Sequence, residues 1–213
     1  SRTEAQTQAP DWRYVLGRLH VSVAFDDFAS ALAFVNAVGA IAEELDHHPE
    51  IDLRYGLVHL AVASHDVHAL TQRDVTLANK VSAIVADHGG RVEHSRLTEV
   101  EIAIDTMDAS KISPFWEAVL GYEPDPDGHL IDPDRIGPIV WFQQMDEPRP
   151  VRNRIHLDVT VAHDEADARI EAALKAGGRM VSDKMARSFW ILADADGNEA
   201  CICTWQDRDE RGW

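Results

Sequence analysis

Three imidazoles and several carboxylates crowd into one stretch of this chain. Glu43-Glu44-Leu45-Asp46-His47-His48-Pro49 leads on to Tyr55, His65 and Asp74. Imidazole both gives and takes a proton near neutral pH. A dehydration, which removes a hydroxyl from one atom and a proton from its neighbour, needs both transfers. In this set one imidazole would protonate the leaving hydroxyl while another removes a ring proton. Glu43 precedes His47 by one helical turn and is placed to fix its ring. His48 precedes Pro49, so it leaves the helix and aims its ring elsewhere. Asp74 would orient His65 or hold a substrate amide. Blander readings stand beside this one. A histidine near a helix C-terminus is a common stabilising device, and a His-His pair alone is a weak signal. A zinc site would lack a nearby cysteine and familiar ligand spacing.

The elements that must position these groups can be read from apolar periodicity. Leu19, Val21, Val23 and Phe25 alternate as in a strand within Trp12–Phe25. Asp26 or Asp27 offers an N-cap. Phe28, Leu32, Val35, Val38, Ala42 and Leu45 then recur at helical spacing, and Pro49 is expected to stop that helix. Two short strands follow, about 51–55 and 57–63, with Gly56 at the turn. Thr71 can cap a last helix with Val75, Ala78, Val81 and Val85 as its buried stripe. The order β-β-α-β-β-α predicts an α+β layer, an antiparallel sheet with helices on one face.

Text after Gly90 changes character, and a boundary is expected within Arg91–Thr98. Residues 1–92 and 97–213 would be two domains. The second is internally duplicated, from about Glu99 to Met145 and from Arg154 to Trp205. Each copy opens with a strand and continues into a helix, ending in Ala118-Val119-Leu120-Gly121 and in Ala173-Leu174-Lys175-Ala176-Gly177. Further strands follow, which predicts paired βαβββ modules. Ile102, Ile104, Ile155, Leu157 and Val159 would face the helices. Glu101, Asp105, His156 and Asp158 would face the other way, toward a cavity. Trp116, Trp141 and Trp190 are candidates for lining an apolar pocket. Asp194-Ala195-Asp196-Gly197-Asn198 reads as a turn.

Bulk properties exclude some classes of function. The chain has 213 residues, 45% hydrophobic and 27% charged, with a formal net charge of −17. Such a surface repels phosphate backbones and anionic lipid, so neither nucleic acid nor membrane is an expected partner. No run of about 18 apolar residues stands out as a bilayer span. The opening SRTEAQTQAP lacks the apolar core of a signal peptide. Cys201 and Cys203, at i and i+2 of a probable strand, lie roughly 6.5–7 Å apart on one face. That geometry is poor for a disulfide and suits a reducing, cytoplasmic compartment.

The run AEELDHHPEIDLRYGLVHLAVASHDVHALTQRDVTLA, with the preceding VAFDDFASALAF, resembles the signature of pterin-4a-carbinolamine dehydratases. The likeness runs from Trp12 to about Val85. It implies that His47, His48 and His65 are catalytic, that Glu43 and Asp74 support them, and that Trp12 is the family's N-terminal tryptophan. It implies dehydration of 4a-hydroxytetrahydropterin (4a-hydroxytetrahydrobiopterin) to quinonoid dihydropterin, which is then reduced again for aromatic amino-acid hydroxylases. The implied partners are a reduced pterin and further copies of the chain, as a dimer or tetramer, and no cofactor is implied. Relatives also act as dimerisation partners of other proteins, a role that loss of the histidines would favour. One departure concerns residues 1–9, where the family begins with an apolar helix. These residues are polar and are expected to bury no stripe.

FWEAVLGYE, GPIVWFQQMDEPRPVRNRIHLDVTV and LADADGNEACI resemble the glyoxalase-like branch of the vicinal-oxygen-chelate superfamily, over about Val100–Trp205. The likeness implies a divalent metal held by Glu101, a residue near Gln143, His156 and Cys201. A cysteine in that set would favour zinc or another borderline metal. Asn153, Arg154 and Asp158 are expected to be structural or ligand-facing. The alternative function is therefore that this half, a metal-dependent lyase or dioxygenase-type enzyme or a small-molecule binder, carries the main activity.

Overall fold

The computed structural model describes residues 2–95, 97–148, 156–161, 163–204 and 206–211. The chain divides into two units, residues 1–99 and 100–213.

In the first unit α1 (Arg2–Gln8) leads into the hairpin β1 (Arg13–Val15) and β2 (Arg18–Ala24). Leu16 and Gly17 turn that hairpin with φ of 43° and 85°, the positive values that a two-residue connection requires. α2 (Phe28–Leu45), β3 (Glu50–Arg54), β4 (Leu57–Val62), α3 (Gln72–Ile84) and the short β5 (Arg91–Val92) follow. The sheet runs β1-β2-β4-β3, with β5 on the free length of β2, and every pair is antiparallel. Gly56 is needed at the β3–β4 turn. A Cβ there would lie 2.5 Å from the Phe25 carbonyl oxygen, beside the bond from the Phe25 N–H to the Gly56 carbonyl at 2.7 Å.

Leu19, Val21 and Val23 of β2 and Val58, Leu60 and Val62 of β4 form one core with Ala31, Phe34, Val38 and Ala42 of α2 and Val75, Ala78 and Val81 of α3. The period of two in the strands and of 3.6 in the helices thus meet on one face. The opposite face carries His20, Ser22 and His59.

Three expectations need correction. Residues 2–8 form a helix, and Ala5 and Ala9 are buried, because small methyl side chains suffice to seat a short helix on the core. Pro49 does not end α2. Asp46 ends it by taking a left-handed conformation, φ 47° and ψ 43°. Finally, α2 is by length and mean hydropathy (1.4) apolar enough to cross a membrane. A core helix passes the same test, and α2 seats four side chains in the core named above.

The second unit repeats one plan. β6 (Glu101–Thr106), α4 (Ala109–Leu120), β7 (Glu123–Pro124), β8 (Leu130–Ile131) and β9 (Ile139–Gln144) make the first module. β10 (Leu157–Thr160), α5 (Ala166–Lys175), β11 (Arg179–Ser182), β12 (Phe189–Ala193) and β13 (Glu199–Cys203) make the second, and a short α6 (Arg208–Arg211) follows. The sheets run β6-β9-β8-β7 and β10-β13-β12-β11. In each, the opening strand lies parallel to the last strand of its module. Ile104, Ile112, Phe115, Val119, Ile170, Ala173, Leu192 and Ile202 share one core. Gly121 closes α4 in the left-handed region, φ 75°. Trp116 belongs to the core, and its indole donates to Asp194 at 3.0 Å. Asp194 also organises the expected turn, accepting from the N–H groups of Asp196 and Asn198. Both cysteines are free and buried.

Candidate active site

The end of α2 sets the first imidazole. The Asp46 N–H reaches the carbonyls of Ala42 and Glu43, and the His47 N–H reaches Ala42 at 3.1 Å. These are the 5→2 and 6→1 bonds of a Schellman turn. The turn folds His47 back to 7% exposure while His48 stays exposed.

A carboxylate meets His47 there. His47 Nε2 lies 2.7 Å from Oδ1 of Asp74, which has no solvent exposure. The second oxygen, Oδ2, accepts from the Thr71 N–H at 2.6 Å and from the Ser64 hydroxyl at 2.9 Å. The Thr71 hydroxyl lies 3.2 Å from Oδ2 and 2.8 Å from Ser64 Oγ. Thr71 and Asp74 form a capping box at the N-terminus of α3, so buried N–H and O–H donors surround the carboxylate. An ionised carboxylate only accepts, so Nε2 carries the proton in this pair. Nδ1 is left as the ring atom able to exchange one.

His65 stands next to Ser64 on the exposed turn after β4. That turn is closed by the Ser64–Ala69 bridge and tied to α3 by the Asp66–Arg73 ion pair. Arg73, with a smaller contribution from His47, holds the Asp66 carboxyl below the usual range. Asp74 therefore ties together the end of α2, the end of β4 and the start of α3. These are the three places that carry His47 with His48, His65 and Asp74 itself.

The expected pairings are exchanged. Glu43 meets His48, not His47, at 3.0 Å and near the surface. Asp74 orients His47, not His65. The cause is the Schellman turn, which rotates His47 off the Glu43 face of the helix. Tyr55 sits at a hairpin tip, 90% exposed. Trp12 is fully buried, and its indole N–H faces the Ala78 carbonyl (3.1 Å) and Ser82 Oγ (3.2 Å). Through these contacts it anchors α3. Sequence reasoning missed Ser64 and the second role of Thr71. The available signal was Thr71-Gln72-Arg73-Asp74, whose spacing is that of a capping box.

The second unit holds a different donor set. His156, Asp158 and Cys201 place one ligand atom each within 4.8 Å of one another. Asp158 and Cys201 are partners across β10 and β13. Burial first, and Asp158 second, push the Cys201 thiol up to about 12. Imidazole nitrogen, carboxylate oxygen and sulfur together fit a borderline metal such as zinc better than magnesium or calcium. Among the described residues Glu101 is not in this set, and it is too far from Gln143 to share an ion with it. Gln143 pairs in register with Asp105, four residues past Glu101 on a parallel strand, so the two are separated by about 13 Å along the sheet. Gln143 instead lines a cleft of about 580 Å³ with Asp105, Gln144, Asp146 and Glu147. Asp158, expected to be structural or ligand-facing, takes a place among the donors. Asn153, Arg154 and Ile155 lie outside the described residues.

Comparison with known proteins gives two matches that do not overlap. Residues 1–84 match the family model of pterin 4 alpha carbinolamine dehydratase, and residues 101–203 that of a glyoxalase-like domain. A protein of Acidobacterium capsulatum named "Putative pterin-4-alpha-carbinolamine dehydratase" is 42% identical over 82 residues, 38% of this chain and 89% of that one. One of the same name from Thermomicrobium roseum is 38% identical over 79 residues, 37% and 85% of the two chains. A solved transcriptional coactivator/pterin dehydratase from Brucella melitensis is 33% identical, covering 38% of this chain and 89% of its own, with a TM-score of 0.37. A glyoxalase/bleomycin resistance protein/dioxygenase family enzyme from Burkholderia phytofirmans is 16% identical, covering 49% and 95%, with a TM-score of 0.40. The chain belongs to the pterin-4-alpha-carbinolamine dehydratase family through its first unit, and its second unit is similar to a glyoxalase-like domain.

Proposed function

We propose that the first unit dehydrates 4a-hydroxytetrahydropterin to quinonoid dihydropterin and so serves pterin recycling. The observation that carries this reading is the buried Asp74 carboxylate, which fixes the His47 ring and ties its loop to the turn that carries His65. The substrate has a hydroxyl on ring carbon 4a and a proton on the neighbouring nitrogen. One imidazole gives a proton to the departing oxygen as its bond to carbon breaks. Another takes the proton from nitrogen, whose electron pair closes the new double bond. Water leaves, and the two rings exchange protons with solvent to reset. His47, His48 and His65 carry these transfers, with Glu43 and Asp74 as positioning residues. The step is pure proton transfer and uses no cofactor.

The direct test is dehydration of 4a-hydroxytetrahydropterin by the native chain and by His48→Ala. A native rate equal to the uncatalysed one would end the proposal. The outer face of α2 exposes Phe28 (54%) and Leu32 (42%), which supports self-association into a dimer or tetramer. Light scattering checks it.

A second reading concerns the glyoxalase-like unit, as a metal-dependent lyase, a dioxygenase-type enzyme or a small-molecule binder. The His156–Asp158–Cys201 set favours it. A divalent metal bound there would supply a Lewis acid. Elemental analysis before and after chelator treatment tests it, and absence of stoichiometric metal together with no stabilisation by added zinc would count against it.

A further inference from the structure

The face of the first sheet opposite its core carries a cluster that the dehydration does not use. We propose that His20, His59 and Glu99 form a site for a borderline divalent cation, zinc being the probe of choice, with an open fourth position. His20 on β2 and His59 on β4 approach Nδ1 to Nε2 at 3.2 Å, and His20 Nδ1 lies 3.6 Å from a Glu99 oxygen. All three ligand atoms fall within 4.8 Å of one another. A tetrahedron with metal–ligand bonds of about 2.0–2.1 Å has edges of about 3.3–3.4 Å, close to the 3.2 and 3.6 Å spacings from His20 Nδ1.

His20 has no solvent exposure, and its Nδ1, the nitrogen that faces His59 and Glu99, is the atom it offers the cation. Ser22 Oγ, 3.0 Å from His59 Nδ1, can accept that N–H and so turn the Nε2 lone pair toward the cation. Arg18 is the competing cation, 3.5 Å from Glu99, but it also pairs with Glu50 and keeps that partner when Glu99 turns to the metal.

The test uses the full chain carrying His156→Ala, which weakens the donor set of the second unit. After chelator treatment the protein is titrated with Co²⁺ and then Zn²⁺. The site predicts visible bands of tetrahedral nitrogen–oxygen coordination without a thiolate charge-transfer band, and a melting temperature raised by zinc. His59→Ala should weaken binding by more than about 100-fold and Glu99→Gln by about 10-fold or more. Both residues reach the surface, so the variants should fold, and circular dichroism verifies this. Zinc binding indifferent to both substitutions, or no saturable binding, would each overturn the proposal.

Discussion

His47 Nε2 and Asp74 Oδ1 stand 2.7 Å apart, one nearly and one wholly removed from water. Replacing the acceptor by Asp74→Asn keeps the shape but removes the charge and presents an amide that either donates to Nε2 or accepts weakly. The expected loss in kcat is about 100-fold or more. Unfolding free energy should fall by about 3 kcal/mol, as for a broken buried pair. Steady-state kinetics and urea melts check both. Ser64→Ala should cost less on each scale, about 1 kcal/mol, since the Thr71 N–H still serves Oδ2.

Asp46 holds a left-handed conformation and places a negative charge at the C-terminus of α2. Both are unfavourable there. Asp46→Gly should raise stability by about 0.5–1 kcal/mol. It keeps the turn that aims His47, so the dehydration rate should stay within about twofold. A raised urea midpoint at constant slope is the expected reading.

Trp12 separates a structural from a substrate-binding role. Trp12→Phe removes the indole N–H from Ala78 and Ser82 and should destabilise by about 1–3 kcal/mol. KM should not move. A raised KM in a fully folded variant would restore a substrate contact.

His20 makes stability depend on pH. Burial lowers its folded value from 6.5 to about 3. Between those values the unfolded chain binds a proton that the folded chain refuses, so stability is full above about 6.5 and falls as pH drops toward 3. The slope is up to about 1.4 kcal/mol per pH unit. With chelator present, His20→Gln should flatten the melting-temperature profile across this window relative to the native chain.

Cys201 tests the second unit. With the thiol pushed up to about 12 and buried, the native protein should resist alkylation at pH 8, and denaturant should make it reactive. Metal binding at His156, Asp158 and Cys201 would need the thiolate, and so should release about one proton per metal ion. Calorimetry in buffers of different ionisation enthalpy reads that proton.

Helices and strands were legible because Leu19, Val21 and Val23, or Val75, Ala78 and Val81, fall at spacings that only one element can bury. The N-terminal helix was not. Ala5 and Ala9 carry little hydrophobicity, and what they lie on is set by distant residues. The histidine motif was legible as a set, but its pairing was not. A single left-handed residue at Asp46 decides which carboxylate each ring meets, and aspartate is only an occasional occupant of that conformation. Of the expected metal donors of the second unit, His156 and Cys201 come together, while Glu101 and Gln143 do not share a site, for a related reason. Positions transferred one by one from a family pattern cannot show that Glu101 and Gln143 sit at opposite ends of paired strands.

The capping box at Thr71 and Asp74 has an evolutionary consequence. In many enzymes a reactive group is held at the expense of the fold, so its deletion makes the protein sturdier. Here one carboxylate both starts a helix and mounts an imidazole. Drift at position 74 would blunt the reaction and loosen the scaffold together, so no mutational route leads from this site to a hardier but inert descendant through that residue.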